Sequence, residues 1–126
     1  ARETFEASRL RWEERALEPH AGALRLHRAL LALRRELVLP RRARLRAAAS
    51  GPDAVVLHAG DLAVVVRLEG AGAVTAPPVG PGAARVLLST EDQAWAASPR
   101  PATLEHRPGG TEVGFHRPGA VVLGAG

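Results

Sequence analysis

The chain offers five histidines, His20, His27, His58, His106 and His116, as its first candidates for chemistry. His20 and His27 are seven residues apart, two turns along one helix face, whereas a helical ligand pair takes the i, i+4 spacing. The other three fall on separate short apolar runs, and no metal site is expected from them. Ser89, Thr90 and Asp92 sit together without a GxSxG elbow or a nearby histidine, so they do not make a nucleophile. Glu91 and Asp92 are adjacent, and adjacent carboxylates rarely flank one scissile bond. They read as solvated. Gly70-Ala71-Gly72 and Gly80-Pro81-Gly82 open no helix and carry no GK[ST], which excludes a phosphate loop.

Two features remain as binding candidates. Arg41, Arg42, Arg44 and Arg46 could contact phosphates, but no aromatic residue is interleaved to stack on a base. A solvated edge just past a helix end is the expected reading, with weak, non-specific nucleic-acid binding at most. Trp95 lies in a polar stretch and could stack on a sugar ring. An indole covering the edge of a small β core is the commoner arrangement. No catalytic residue, cofactor site or metal site is therefore expected in this chain, and Trp95 is the one candidate sugar contact.

The elements that would carry these residues fall into two regions. From Glu18 to Leu39 the period is helical: Leu26, Leu30, Leu33 and Leu37 line one face, and Leu24, Leu31 and Val38 form a second stripe. Glu18 and Pro19 suit a first turn, and Pro40 is expected to stop the run. Residues 1–17 are polar with anchors at Phe5, Leu10 and Trp12, expected to pack near the start of that helix. After Pro40 the period shortens. Residues 47–53 read as a turn or linker, and apolar runs at 54–59 and 62–69 read as a hairpin joined by Gly60-Asp61 in a II′ turn. Residues 70–82 read as a Gly/Pro-rich connection and 83–89 as a strand. A polar loop follows over 90–101, then strands at 102–106, 111–116 and 120–123. The expectation is an α+β chain, with residues 1–40 ending one domain and 41–126 forming an antiparallel β sandwich of six strands.

Composition narrows the classes. All 17 basic residues are arginine, and Lys, Ile and Asn are absent, as biased codon usage would produce. The first 50 residues hold 12 arginines against 6 acids, and the remainder 5 against 7, so the positive excess is local. The absence of cysteine excludes disulfides and fits a cytoplasmic setting. No apolar run approaches the roughly 20 residues of a membrane span. The chain begins at Ala1 rather than Met, so it is expected to be part of a longer protein. A helix with two apolar stripes usually touches two bodies. Taking Leu26, Leu30, Leu33 and Leu37 as the open stripe, the isolated chain is expected to pair with a second copy.

Thr4-Phe5, Ser8, Leu10 and Trp12, then His20 and the run His27 to Glu36 (HRALLALRRE), resemble the end of an α-amylase-superfamily barrel. The nearest resemblance is to the malto-oligosyltrehalose trehalohydrolases. Residues 85–90 (RVLLST) and 117–123 (RPGAVVL) resemble late strands of that family's C-terminal β domain. Arg9 and Arg11 depart from the lysine and acid common around Leu10 in the family. The resemblance implies a parent that releases trehalose from malto-oligosyl trehalose, with catalytic carboxylates upstream of this segment. It implies the catalytic barrel as partner, and malto-oligosaccharide substrate only through that parent. A free-standing nucleic-acid or carbohydrate-binding module is the alternative.

Overall fold

The computed structural model describes all of residues 1–126 and is α+β, with two N-terminal helices and eight antiparallel strands in two sheets. Helix α1 spans Arg2–Ala7 and α2 spans His20–Leu33. A 3-10 turn at Trp12–Ala16 lies between them. Helix α2 runs on through a π turn at Arg34–Val38 and a 3-10 turn at Leu39–Arg41, so Pro40 sits inside the last turn instead of ending the run before it. Proline is tolerated there because it falls in the opening residues of the 3-10 turn, where an N–H would have no partner within that turn.

The strands are β1 (Arg46–Ala49), β2 (Ala54–His58), β3 (Leu62–Arg67), β4 (Gly72–Ala76), β5 (Arg85–Ser89), β6 (Thr103–Arg107), β7 (Gly110–Phe115) and β8 (Gly119–Gly124). Five form one sheet in the order β1-β2-β3-β8-β5, and three form another in the order β4-β7-β6. The β2–β3 hairpin closes at Gly60, as the Gly-Asp pair suggests. Gly60 takes φ +75° and the Asp61 N–H donates to the Ala59 carbonyl at 2.8 Å, a tighter closure than a plain two-residue turn.

Strand alternation fixes the core. Ala54/Val56, Ala63/Val65 and Val121/Leu123 of the larger sheet share one buried cluster with Val74/Ala76 and Val113/Phe115 of the smaller. On the opposite face of the larger sheet, Leu62, Leu88 and Val122 form a second buried cluster. Leu26, Ala29, Leu33, Leu37 and Val38 of the helical segment pack on it. The larger sheet is thus apolar on both faces, which is why β3 and β8 read as continuous runs of Val, Leu and Ala.

Three expectations need correction. The strands number eight, not six. β1 was hidden in the expected linker because its Arg-Ala-Ala-Ala is exposed throughout and has no apolar alternation. β4 was hidden in the Gly/Pro-rich connection, where only Val74 and Ala76 point inward. The helix stripe taken as open is the wrong one: Leu26, Leu33 and Leu37 meet the sheet, while Leu30 and Leu31 turn away. Nor do Phe5, Leu10 and Trp12 pack on the start of α2; they remain 70, 70 and 69% exposed.

Candidate interaction surface

Besides packing on the larger sheet and the Arg41–Asp61 pair, the helical segment is held to the β portion by the loop of residues 90–101. Glu91 accepts two hydrogen bonds from the Arg117 guanidinium, both at 2.6 Å, and a third from the Arg100 N–H at 3.0 Å. Arg117 also donates to the Ser98 carbonyl at 2.7 Å, so both ends of the loop are tied to the turn before β8. The expectation of two solvated carboxylates therefore fails for Glu91, whose side chain is 10% exposed. It holds for Asp92, which is exposed and accepts the Ala94 N–H at 2.8 Å.

Trp95 sits at the tip of this clamp. Its indole N–H donates to the Ser89 carbonyl at 2.9 Å, and its half-buried ring packs on the cluster beneath α2. Its backbone presses on Gly22, where a Cβ would stand 2.6 Å from the Trp95 carbonyl oxygen. Arg25 closes the contact by donating to the Ala94 carbonyl at 2.8 Å and to Glu18 at 2.6 Å. Glu18, just ahead of the helix, in turn accepts the Gly22 N–H at 2.9 Å, which brings a carboxylate to the N-terminus of α2 as the helix dipole favours. Trp95 thus covers a core edge, and its N–H is not free for a ligand. Glycine at position 22 was the available clue, since a glycine inside a helix signals close backbone approach. Arg117, 26 residues from Glu91, gave no local signal.

Beyond the seam lies an uncovered face. Leu17 and Leu31 are 61 and 57% exposed and join Phe5, Leu10 and Trp12 in leaving large apolar groups in water. A cleft brings Trp12, Leu24, His20, Arg11, Arg15 and Arg28 together. In the β portion Arg67, Arg107 and Arg117 are paired, with Asp53, Glu105 and Glu91, and Arg41 at its border pairs with Asp61. None of Arg11, Arg15 and Arg28 has a carboxylate within 4.0 Å. Single exposed apolar residues are ordinary, but an exposed indole grouped with unpaired cations marks a candidate interaction face.

The other candidates are scattered. His27 Nδ1 lies 2.8 Å from the Ala23 carbonyl, His58 Nε2 3.1 Å from that of Pro78, and His106 Nδ1 3.2 Å from Thr111 Oγ1. His20 lies 3.9 Å from Glu14, and His116 is exposed. No group of three or more His, Asp or Glu side chains comes together. Ser89 and Thr90 spend their hydroxyl oxygens accepting the N–H groups of Glu91 and Ala120. Of the Arg41–Arg46 run, Arg41 is held by Asp61 through bonds of 2.9 and 2.8 Å, and Arg46 donates to the Ala43 and Leu45 carbonyls. No helix is long and apolar enough to cross a membrane. No family model, curated protein or solved structure matches the chain.

The clamp predicts an acid response. The Arg117 hydrogen bonds hold the Glu91 carboxyl below its ordinary 4.5, and Arg41 holds Asp61 at about 2. A depressed carboxyl stabilises the fold fully above its unfolded pKa, and that contribution is lost as pH falls through the folded one. Stability should therefore decline from about pH 4.5 downward. Glu91→Gln should lower stability near neutrality and flatten that decline, as read by urea unfolding at a series of pH values. An unchanged slope would mean that Glu91 does not hold the loop.

Proposed function

We propose that this chain is the non-catalytic C-terminal portion of an α-amylase-superfamily glycoside hydrolase of the trehalohydrolase type. In this reading α2 is the last helix of the catalytic barrel, and the two sheets form a β sandwich that shields and steadies it. The observation that carries it is the division of α2 into two faces. One face is seated on the larger sheet, and the other, with residues 1–17, is left open in water. The residues that carry the resemblance, Phe5, Leu10, Trp12 and the run from His27 to Glu36, lie in that helical segment. The engagement of Arg41 by Asp61 and of the Trp95 N–H by Ser89 counts against the nucleic-acid module and against a sugar contact at Trp95.

The deciding experiment is to read the genomic sequence upstream of Ala1. A continuous reading frame encoding a barrel with two catalytic carboxylates and a third acid supports the proposal; a start codon adjoining Ala1 overturns it. The 126-residue chain alone should release no trehalose from malto-oligosyl trehalose above a blank. Turnover by this chain would place the chemistry within it.

A further inference from the structure

The two sheets end in four edge strands, β1 and β5 on the larger and β4 and β6 on the smaller. Exposed edges are usually guarded by charge, proline or a bulge. β5 breaks register between Val86 and Leu88, β4 runs straight into Pro77 and Pro78, and β6 carries Glu105, His106 and Arg107. β1 has none of these guards. It pairs with β2 in regular register over all four residues, three of them alanine, and all are exposed. Its one charge, Arg46, is folded back onto the Ala43 and Leu45 carbonyls.

The phase of the ladder decides which groups this edge offers. The Ser50 N–H donates to the Ala54 carbonyl at 2.8 Å, so Ser50, Ala48 and Arg46 are the residues bonded to β2. On the far side of β2 the Leu68 N–H donates to the Asp53 carbonyl, which gives Val55 and Leu57 to β3 and sets the same phase. Ala47 and Ala49 therefore aim their N–H and C=O groups outward, where nothing in the chain meets them. Leu45, next in phase, is already spent on the Arg41 carbonyl and the Arg46 guanidinium.

We propose that β1 joins two copies of this chain edge to edge, antiparallel, about a two-fold axis at Ala48. In that register Ala47 faces Ala49 of the second copy, and Ala49 faces its Ala47. Each pair exchanges two N–H···O=C bonds, so every free group on both edges finds a partner. Centring the axis on Ala47 instead would set Ala49 against the spent Leu45 and leave its groups unmet. Ala48 meets its own copy in a pair without hydrogen bonds, where Cα atoms approach to about 4.5 Å and alanine fits. Arg46 faces Ser50, so like charges stay apart. Because α2 packs over β3, β8 and β5 through Leu62, Val122 and Leu88, the β1 edge lies beyond it. The pairing is thus independent of whether a barrel covers the open helical face.

Exposed alanines bury little apolar area, so the pair is weak, with a Kd on the order of 1 mM. The chain carrying Leu17→Ser and Leu31→Ser, whose helical face is disarmed, is titrated against its own concentration by NMR. The Ala47 and Ala49 amide protons should move downfield and saturate. Ala47→Pro and Ala49→Pro should each weaken pairing roughly tenfold or more, since each deletes an outward donor that β2 does not use. Neither should change the melting temperature. Ala48→Glu and Ala48→Lys set like charges face to face, so each alone should pair roughly threefold or more weakly, and a mixture should recover. Amide shifts that ignore concentration overturn the proposal, as does pairing that survives both prolines. A Glu–Lys mixture no stronger than either variant alone overturns the axis at Ala48. Shifts raised by an added Thr-Val repeat peptide, but not by the chain itself, give the edge to a foreign strand and overturn the second copy.

Discussion

Gly110→Ala is expected to be among the most damaging single substitutions in this chain, at about 3–5 kcal/mol. Gly110 opens β7 with φ +142°, a region that L side chains rarely adopt. A Cβ there would lie 2.0 Å from the Ala76 carbonyl oxygen, and that obstacle is backbone rather than a flexible tip. Relief requires β7 to move off β4, whose Ala76 pairs with Thr111, and that shift opens the shared core at Val113 and Phe115. Gly109 is the matched control, because a Cβ there meets nothing within 4 Å and its φ is not positive. Urea midpoints of the two variants make the comparison. A Gly110→Ala loss below ~1 kcal/mol would mean that β4 and β7 are not held in this register.

The open helical face gives the second large effect. The isolated chain should self-associate through Trp12, Leu17 and Leu31, and Leu17→Ser with Leu31→Ser should return it toward monomer. Burying a leucine is worth about 1.5–3 kcal/mol, and these two are 61 and 57% exposed. Removing both should weaken association by roughly a hundredfold, at ~1.4 kcal/mol per factor of ten. Light scattering after size exclusion reads the mass. Leu33→Ser belongs to a different class: Leu33 packs on the larger sheet, so its loss should lower stability rather than mass. A wild-type chain that stays monomeric at high concentration removes the case for an interaction face.

How much of this was legible depends on where each signal lives. β2, β3 and β8 announce themselves because each buries alternating or continuous Val, Leu and Ala, and β7 because Val113 and Phe115 alternate inward. β1 and β4 do not, since one is an exposed edge and the other a short strand among glycines and prolines. The two stripes on α2 were readable, but which of them meets the sheet was not. That choice is settled by Leu62, Leu88 and Val122, whose outward face is defined only once the sheet exists. The same limit applies to the clamp. Glu91 looks like any loop acid until the turn before β8 brings Arg117 to it, and a pairing across 26 residues leaves no periodic trace.

β8 lies between β3 and β5 in the larger sheet. Its partners are both made earlier: Leu62–Arg67 pair with it on one side and Arg85–Ser89 on the other. During synthesis, at roughly 5–20 residues per second, β3 and β5 must therefore wait on the ribosome with a vacant lane between them. The β2–β3 and β6–β7 hairpins can form as they emerge, whereas the larger sheet can close only when residues 119–124 arrive. Until then β3 presents a bare edge of valines to any passing strand, which makes nascent chains stalled before Gly119 the ones most in need of a chaperone.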